Sequence, residues 1–162
     1  MSFDVTHPEV RQIVQAALAE DIGGGDITSQ LCIESGQMAS GRFIARQPMT
    51  LAGAELLPLI YEERGGVEDL KLMAASGCQL SPGDEIAAVR GKARTLLECE
   101  RVTLNFMQRL SGVATLAHRY SAETAGTKCR ILDTRKTTPG LRRLEKMAAA
   151  AGGAVNHRMG LF

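Results

Sequence analysis

The sequence contains no tryptophan, and only 4% of its 162 residues are aromatic. A core must therefore be built from Leu, Ile, Val, Met and Ala. No apolar run approaches the roughly 18 residues that cross a bilayer, and the N-terminus has neither the basic start nor the apolar stretch of a signal peptide. These absences predict a cytoplasmic protein with no membrane partner.

The four cysteines lack the spacing of a metal site or a disulfide framework. No C-x-x-C pair occurs among Cys32, Cys78, Cys99 and Cys129, whereas zinc sites usually use close ligand pairs. Disulfide frameworks are typical of short secreted chains. We therefore expect buried free thiols.

The net charge of +1 conceals a strong asymmetry. Residues 1–100 carry 8 Lys and Arg against 15 Asp and Glu, a net charge of −7, and residues 101–162 carry 11 against 3, a net charge of +8. Such blocks either lie on solvated surfaces that face each other or surround a bound anion, and charge alone does not decide between them. Few aromatic residues in the basic half could stack on bases, so a nucleic-acid partner is not expected.

The first hundred residues have the pattern of a small α+β domain. Capping-box spacing at Thr6 and Glu9, followed by apolar residues at helical spacing, predicts a helix that ends near residue 20. The glycines at 23–25 predict a flexible turn. Short strands are expected between residues 38 and 89 around a helix at 54–63, and residues 90–92 are expected to form a turn.

A long helical pattern follows, from residue 96 to about 125, with a break expected at Ser111 and Gly112. Arg101 lies on its polar face together with Asn105 and Arg109. Residues 129–133 then predict a buried strand, 141–151 a helix and 154 onward a second strand, which together make a βαβ unit. Two parallel strands cannot bury both faces, so we expect either that the chain is a fragment or that its last segment pairs with residues outside this sequence.

Cations cluster where these two strands end. Arg135 and Lys136 follow the first strand, and His157 and Arg158 lie in or near the end of the second. Functional groups gather at the carboxyl ends of the strands in a βα-barrel. Asp133 could neutralise one cation, and the others predict a bound carboxylate or phosphate, unless they form a row of solvated surface charges.

Threonines accompany these cations and leave two interpretations open. Thr134, Thr137 and Thr138 could donate hydroxyl groups to a phosphate, but Thr-Thr-Pro-Gly is also ordinary turn chemistry.

Three stretches of the sequence carry a family resemblance. They are EDIGGGDITS at 20–29, ERVTLNFMQRLSGVATL at 100–116, and ILDTRKTTPGLRRLEKMA at 131–148 followed by GGAVNHRMGL at 152–161. In order and spacing they resemble the quinolinate phosphoribosyltransferases, whose motifs D-T-R-K-T-x-P-G and N-H-R-x-G-L the last stretch matches. The resemblance covers essentially the whole chain and is most specific after residue 100.

The resemblance implies a fold and a reaction. The fold is an N-terminal α/β sandwich with its linking helix at 1–110, followed at 111–162 by the start of a truncated α/β barrel. The reaction transfers a phosphoribosyl group from phosphoribosyl pyrophosphate to quinolinate with decarboxylation, and it yields nicotinate mononucleotide, pyrophosphate and carbon dioxide for NAD biosynthesis.

The resemblance also implies roles for single residues. Arg135, His157 and Arg158 hold the quinolinate carboxylates, with Lys136 among the same anions and Thr134 in the substrate-contacting turn. Arg101 reaches the active site of the neighbouring subunit in a homodimer or higher homo-oligomer. No side chain of this chain is assigned a catalytic role.

Magnesium is implied as well, with its ligands expected outside this sequence, so the isolated 162-residue chain is expected to be inactive. Three alternatives stay open. They are a homologue of the same fold linked to molybdenum transport, a non-catalytic fragment that pairs with a longer homologue, and an anion- or nucleotide-binding protein.

Overall fold

The computed structural model describes residues 3–161. In chain order its elements are α1 (Pro8–Ile22), α2 (Ile27–Cys32), β1 (Met38–Ile44), β2 (Met49–Thr50), α3 (Leu56–Glu62), β3 (Asp69–Leu72), β4 (Gln79–Leu80), β5 (Glu85–Lys92), α4 (Ala93–Glu123) and α5 (Arg142–Ala151). Within these residues, no helix is long and apolar enough to cross a bilayer.

The first nine elements, from α1 to α4, fold as a layer of helices on a layer of strands. The central strand β5 pairs antiparallel with β1 and β3, and β2 pairs separately with β4. The core between the layers is built from aliphatic side chains of α1, α3, β5 and α4, including Val14, Ile60, Val89 and Leu110. This arrangement confirms the predicted N-terminal α/β sandwich.

Local signals at the start of the chain were partly misinterpreted. The predicted capping box is wrong, because the His7 ring accepts the Glu9 N–H at 3.2 Å and caps α1, while Thr6 bonds to Asp4 instead. Gly23 and Gly24 form the predicted turn, but the sequence pattern did not predict the short helix α2 that follows it. Gly23 ends α1 with a φ of 52°, and α2 begins just beyond, where Asp26 accepts the Ser29 N–H at 2.9 Å.

The expected interruptions at residues 90–92 and at Ser111-Gly112 are also wrong. Residues 90–92 continue β5 directly into α4. Helix α4 runs without a break for 31 residues. Ser111 is buried, and its hydroxyl accepts the Ala52 N–H at 3.0 Å. This tertiary contact stabilises the helix at Ser111 and Gly112, two residues with low intrinsic helix preference.

The βαβ unit has the predicted order but not the predicted burial. Residues 129–133 do not form a buried strand, because pairing reduces to one parallel bridge between Leu132 and Val155, and Leu132 is 55% exposed. Parallel strands need cover on both faces, and residues 3–161 supply no further strand beside this pair. Helix α5 between them lies where the sequence predicted it.

The expectation of buried thiols is confirmed only for Cys99. Burial raises the pKa of the Cys99 thiol to about 12. Cys32, Cys78 and Cys129 are exposed, because Cys32 ends a short surface helix and the other two lie in loops.

Candidate anion-binding site

Two chain segments meet at the parallel bridge and carry the predicted site residues. The Val155 N–H donates to the Ile131 carbonyl at 2.8 Å, and the Asp133 N–H donates to the Val155 carbonyl at 3.1 Å. Residues 134–136 and 157–158 therefore leave this bridge side by side. Five of the six predicted site residues are brought together in this way: Thr134, Arg135, Lys136, His157 and Arg158.

Asp133 has a different role from the predicted one. Its carboxylate forms an ion pair with Lys146 at 2.5 Å, and the two side chains are only 4% and 3% exposed. The same carboxylate accepts the Asn156 amide and the His157 N–H, each at 2.7 Å. Asp133 therefore neutralises a buried lysine and joins the two segments, and it does not neutralise Arg135 or Lys136.

A second buried carboxylate fixes the turn that follows Lys136. Glu145 accepts the Thr138 N–H at 3.1 Å and two Arg109 N–H groups at 3.0 and 2.7 Å. Burial raises the pKa of Glu145, but the hydrogen bonds from Thr138 and Arg109 outweigh it and hold that pKa below its ordinary value. Arg109 also donates to the Thr138 hydroxyl at 2.7 Å, so Thr138 serves the turn.

Arg142 forms a further link between the two segments. Its guanidinium donates to the Arg135 carbonyl at 3.4 Å and to the Met159 carbonyl at 3.2 Å. It also donates to the Thr137 hydroxyl at 3.3 Å. The first turns of α5 therefore hold both segments.

Sequence reasoning missed five residues that build this framework: Arg109, Arg142, Glu145, Lys146 and Asn156. One signal was available for two of them. Glu145 and Lys146 each lie three residues before a buried alanine of α5, Ala148 and Ala149. A charge on the apolar stripe of a helix needs a buried partner, although the sequence does not say which residue provides it.

The predicted cations themselves lack carboxylate partners. Within residues 3–161, no salt bridge involves Arg135, Lys136 or Arg158. The Nε atom of Arg135 is buried and has no hydrogen-bond acceptor among these residues. Lys136, His157 and Arg158 are exposed, and Arg158 donates to the Leu161 carbonyl at 2.7 Å. The two segments therefore carry several positive charges without carboxylate partners within residues 3–161, and the Arg135 Nε–H is a buried donor without an acceptor there.

Arg101 is not brought to this cluster. It is exposed on α4, eight residues before Arg109, which corresponds to about 12 Å along a helix axis. It lies near the start of α2 instead. There the hydrogen bonds from Ser29 lower the pKa of Asp26, and the Arg101 charge lowers it further.

Potential metal ligands are dispersed among the described residues. No group of three or more His, Cys, Asp or Glu side chains between residues 3 and 161 could hold a metal ion. The carboxylates of Asp133 and Glu145, which bond to the segments that carry the cations, are already paired with Lys146 and Arg109.

Comparison with known proteins identifies the family. The family described as quinolinate phosphoribosyl transferase, N-terminal domain, matches residues 26–111, and its C-terminal domain matches residues 113–162. The carboxylating nicotinate-nucleotide pyrophosphorylase of Mycobacterium leprae is 38% identical over 99% of this chain and 58% of its own length. The chloroplastic enzyme of the same name from Arabidopsis thaliana is 39% identical over 97% of this chain and 45% of its own.

A solved structure gives the same result. The nicotinate-nucleotide pyrophosphorylase from Francisella tularensis superposes with a TM-score of 0.92 at 33% identity, over 100% of this chain and 58% of that one. The chain thus spans about half the length of the relatives it matches. It belongs to the quinolinate phosphoribosyltransferase family.

Proposed function

We propose that the chain supplies the quinolinate-binding part of an enzyme that transfers a phosphoribosyl group from phosphoribosyl pyrophosphate to quinolinate. The products are nicotinate mononucleotide, pyrophosphate and carbon dioxide. The observation that carries the proposal is the cluster of Arg135, Lys136 and Arg158, which lacks carboxylate partners within residues 3–161 and includes the unsatisfied Nε atom of Arg135.

The charge of the proposed substrate suits this cluster. Quinolinate carries two neighbouring carboxylates, and cations that approach from two chain segments can contact both at once. Arginine binds a carboxylate through two parallel N–H groups. A buried donor without an acceptor costs about 1–3 kcal/mol, so a carboxylate that reaches Arg135 Nε recovers this energy on binding. Two cation-bearing segments thus favour a dicarboxylate.

The proposed reaction needs no protein nucleophile. Negative charge develops on the departing pyrophosphate, and decarboxylation leaves a carbanion beside the cationic ring nitrogen, which stabilises it. Positioning and charge stabilisation can therefore supply most of the catalysis. Magnesium would assist the loss of pyrophosphate, and the proposal assigns it no ligand within residues 3–161. We accordingly expect no turnover by this chain alone.

We further propose a homodimer in which Arg101 serves the neighbouring subunit's site. Its separation from Arg109 along α4 keeps it away from the cation cluster of its own chain. An open groove with a volume of about 1190 Å³ runs between β1 and α4, and the exposed Leu97 and Leu116 line it. Exposed apolar surface of this kind suits a protein partner. The cytoplasmic location stays a prediction.

Calorimetric titration of the 162-residue chain with quinolinate tests the proposal. Arg135→Ala and Arg158→Ala should each weaken binding by about 2–5 kcal/mol, because each removes a charge-assisted contact to an anion. Arg90→Ala is a matched control, since this exposed arginine of β5 forms its one ion pair within residues 3–161 with Glu68, at 2.7 Å. Unchanged quinolinate affinity in both test variants would contradict the proposal.

A further inference from the structure

Lys146 is a cation of the site that no anionic ligand can reach. Its side chain is 3% exposed, and its ammonium group points at the Asp133 carboxylate, 2.5 Å away. It nevertheless lies in the helix that joins the two ligand-facing segments. Any influence on ligand binding must therefore pass through Asp133.

Asp133 bonds to the second segment at the residue where the predicted ligand contacts begin. It accepts the His157 N–H on one oxygen and the Asn156 amide on the other. The Asn156 amide also donates to the Lys146 carbonyl at 2.8 Å. Lys146, Asp133 and Asn156 thus form a closed set of contacts between α5 and both segments.

Backbone pairing by itself does not fix these segments beyond the bridge. The last backbone hydrogen bond of the bridge joins Asp133 and Val155. The predicted ligand contacts begin beyond it, at Thr134 on the first segment and at His157 on the second. The spacing between Arg135 on one segment and Arg158 on the other then depends on side chains. Asp133 supplies the bond to His157, immediately before Arg158.

We infer that Lys146 and Asp133 are positioning residues that set the distance between the two cation-bearing segments, and that they thereby select a dicarboxylate over a monocarboxylate. The inference rests on the proposed function. A dicarboxylate needs both segments at a fixed spacing, whereas a monocarboxylate needs only one. Loss of the ion pair should therefore weaken quinolinate binding far more than nicotinate binding.

The test is calorimetric titration of the 162-residue chain with quinolinate and with nicotinate. In Lys146→Met the ratio of the two affinities should fall by about tenfold or more. The double variant Asp133→Asn/Lys146→Met removes both charges, leaves no unpaired buried ion and should show the same loss. Leu144→Ala is the matched control, because it removes a fully buried side chain from the same helix without touching the ion pair.

The outcomes separate the inference from the proposed function. A purely structural role would lower the unfolding temperature of all three variants and leave the affinity ratio of the folded protein unchanged, which would overturn the inference. An equal loss of selectivity in Leu144→Ala would also overturn it. If the unmodified chain does not bind quinolinate, the proposed function fails and the inference fails with it.

Discussion

The contact between α5 and α4 at Gly152 offers a sharp test of the packing. Gly152 ends α5 with a φ of −79°, a value that any L-residue adopts. A Cβ atom there would lie 2.2 Å from the Ala114 carbonyl oxygen and 2.8 Å from the Ala117 Cβ. The expected damage from Gly152→Ala is therefore entirely steric, and it falls on the interface that holds the candidate site.

The magnitude follows from the atoms involved. Overpacking a well-filled site costs about 1–3 kcal/mol and occasionally more, and a backbone carbonyl cannot rotate away as a side chain can. We expect Gly152→Ala to lower the free energy of unfolding by about 3 kcal/mol. For a chain of this length the unfolding temperature should fall on the order of 10 °C.

Gly112→Ala provides the matched control. Gly112 lies inside the continuous α4, and apart from its chain neighbours and the adjacent helix backbone, no atom of the described residues lies within 4 Å of its Cβ position. The same chemical change should therefore stabilise the protein by about 0.5–1 kcal/mol, since alanine favours helix over glycine. Urea unfolding monitored by circular dichroism measures both variants. A Gly152→Ala variant as stable as the unmodified protein would refute the close packing, and a destabilising Gly112→Ala would refute the unbroken helix.

Three further predictions follow from the buried groups and the subunit arrangement. A thiol reagent at pH 8 should label three cysteines of the folded chain and four after denaturation, because burial raises the pKa of Cys99 to about 12; four labelled thiols in the folded chain would contradict this burial. The folded pKa of Glu145 lies below its ordinary value, so its ionised form stabilises the fold above that ordinary value. The difference in unfolding free energy between the unmodified chain and Glu145→Gln should then shrink as the pH falls through the folded pKa, and a difference that does not change with pH would contradict the lowered pKa. Mixing Arg101→Ala with Arg135→Ala protomers, after verified subunit exchange, should restore at one site of each mixed dimer the quinolinate affinity that is weakened in both variants, and no recovery would argue that Arg101 acts within its own chain or only structurally.

Periodicity predicted the helices well because their apolar stripes are long. Val10, Val14 and Leu18 of α1 are all buried, as are Cys99 and Phe106 of α4. Each stripe repeats often enough to outweigh single residues that disfavour a helix. The extended segment at 129–133 has only five residues, and its burial depends on neighbouring strands rather than on its own composition. That is why its position was predicted and its burial was not.

The sequence predicted the cations of the candidate site, but it did not predict the residues that hold them in place. Cations at two strand ends are visible in the sequence, since the order of elements alone places those ends together. The framework depends on pairs distant in sequence: Arg109 lies 36 residues before Glu145, and Asp133 lies 13 residues before Lys146. No periodic pattern links such residues. A charged residue on an apolar stripe indicates only that a partner exists.

Part of the basic charge in residues 101–162 pairs with carboxylates, and part has no carboxylate partner within residues 3–161. Some of the basic charge faces the acidic half, since Arg143 pairs with Glu9 at 2.7 Å. Residues 101–162 contain only three carboxylates, and two of them, Asp133 and Glu145, are bonded to Lys146 and Arg109. The nearby carboxylates are therefore used in holding the segments that present the cation cluster. Because the cluster keeps its positive charge after these pairs are formed, the anion in the proposed function has a physical reason to bind there.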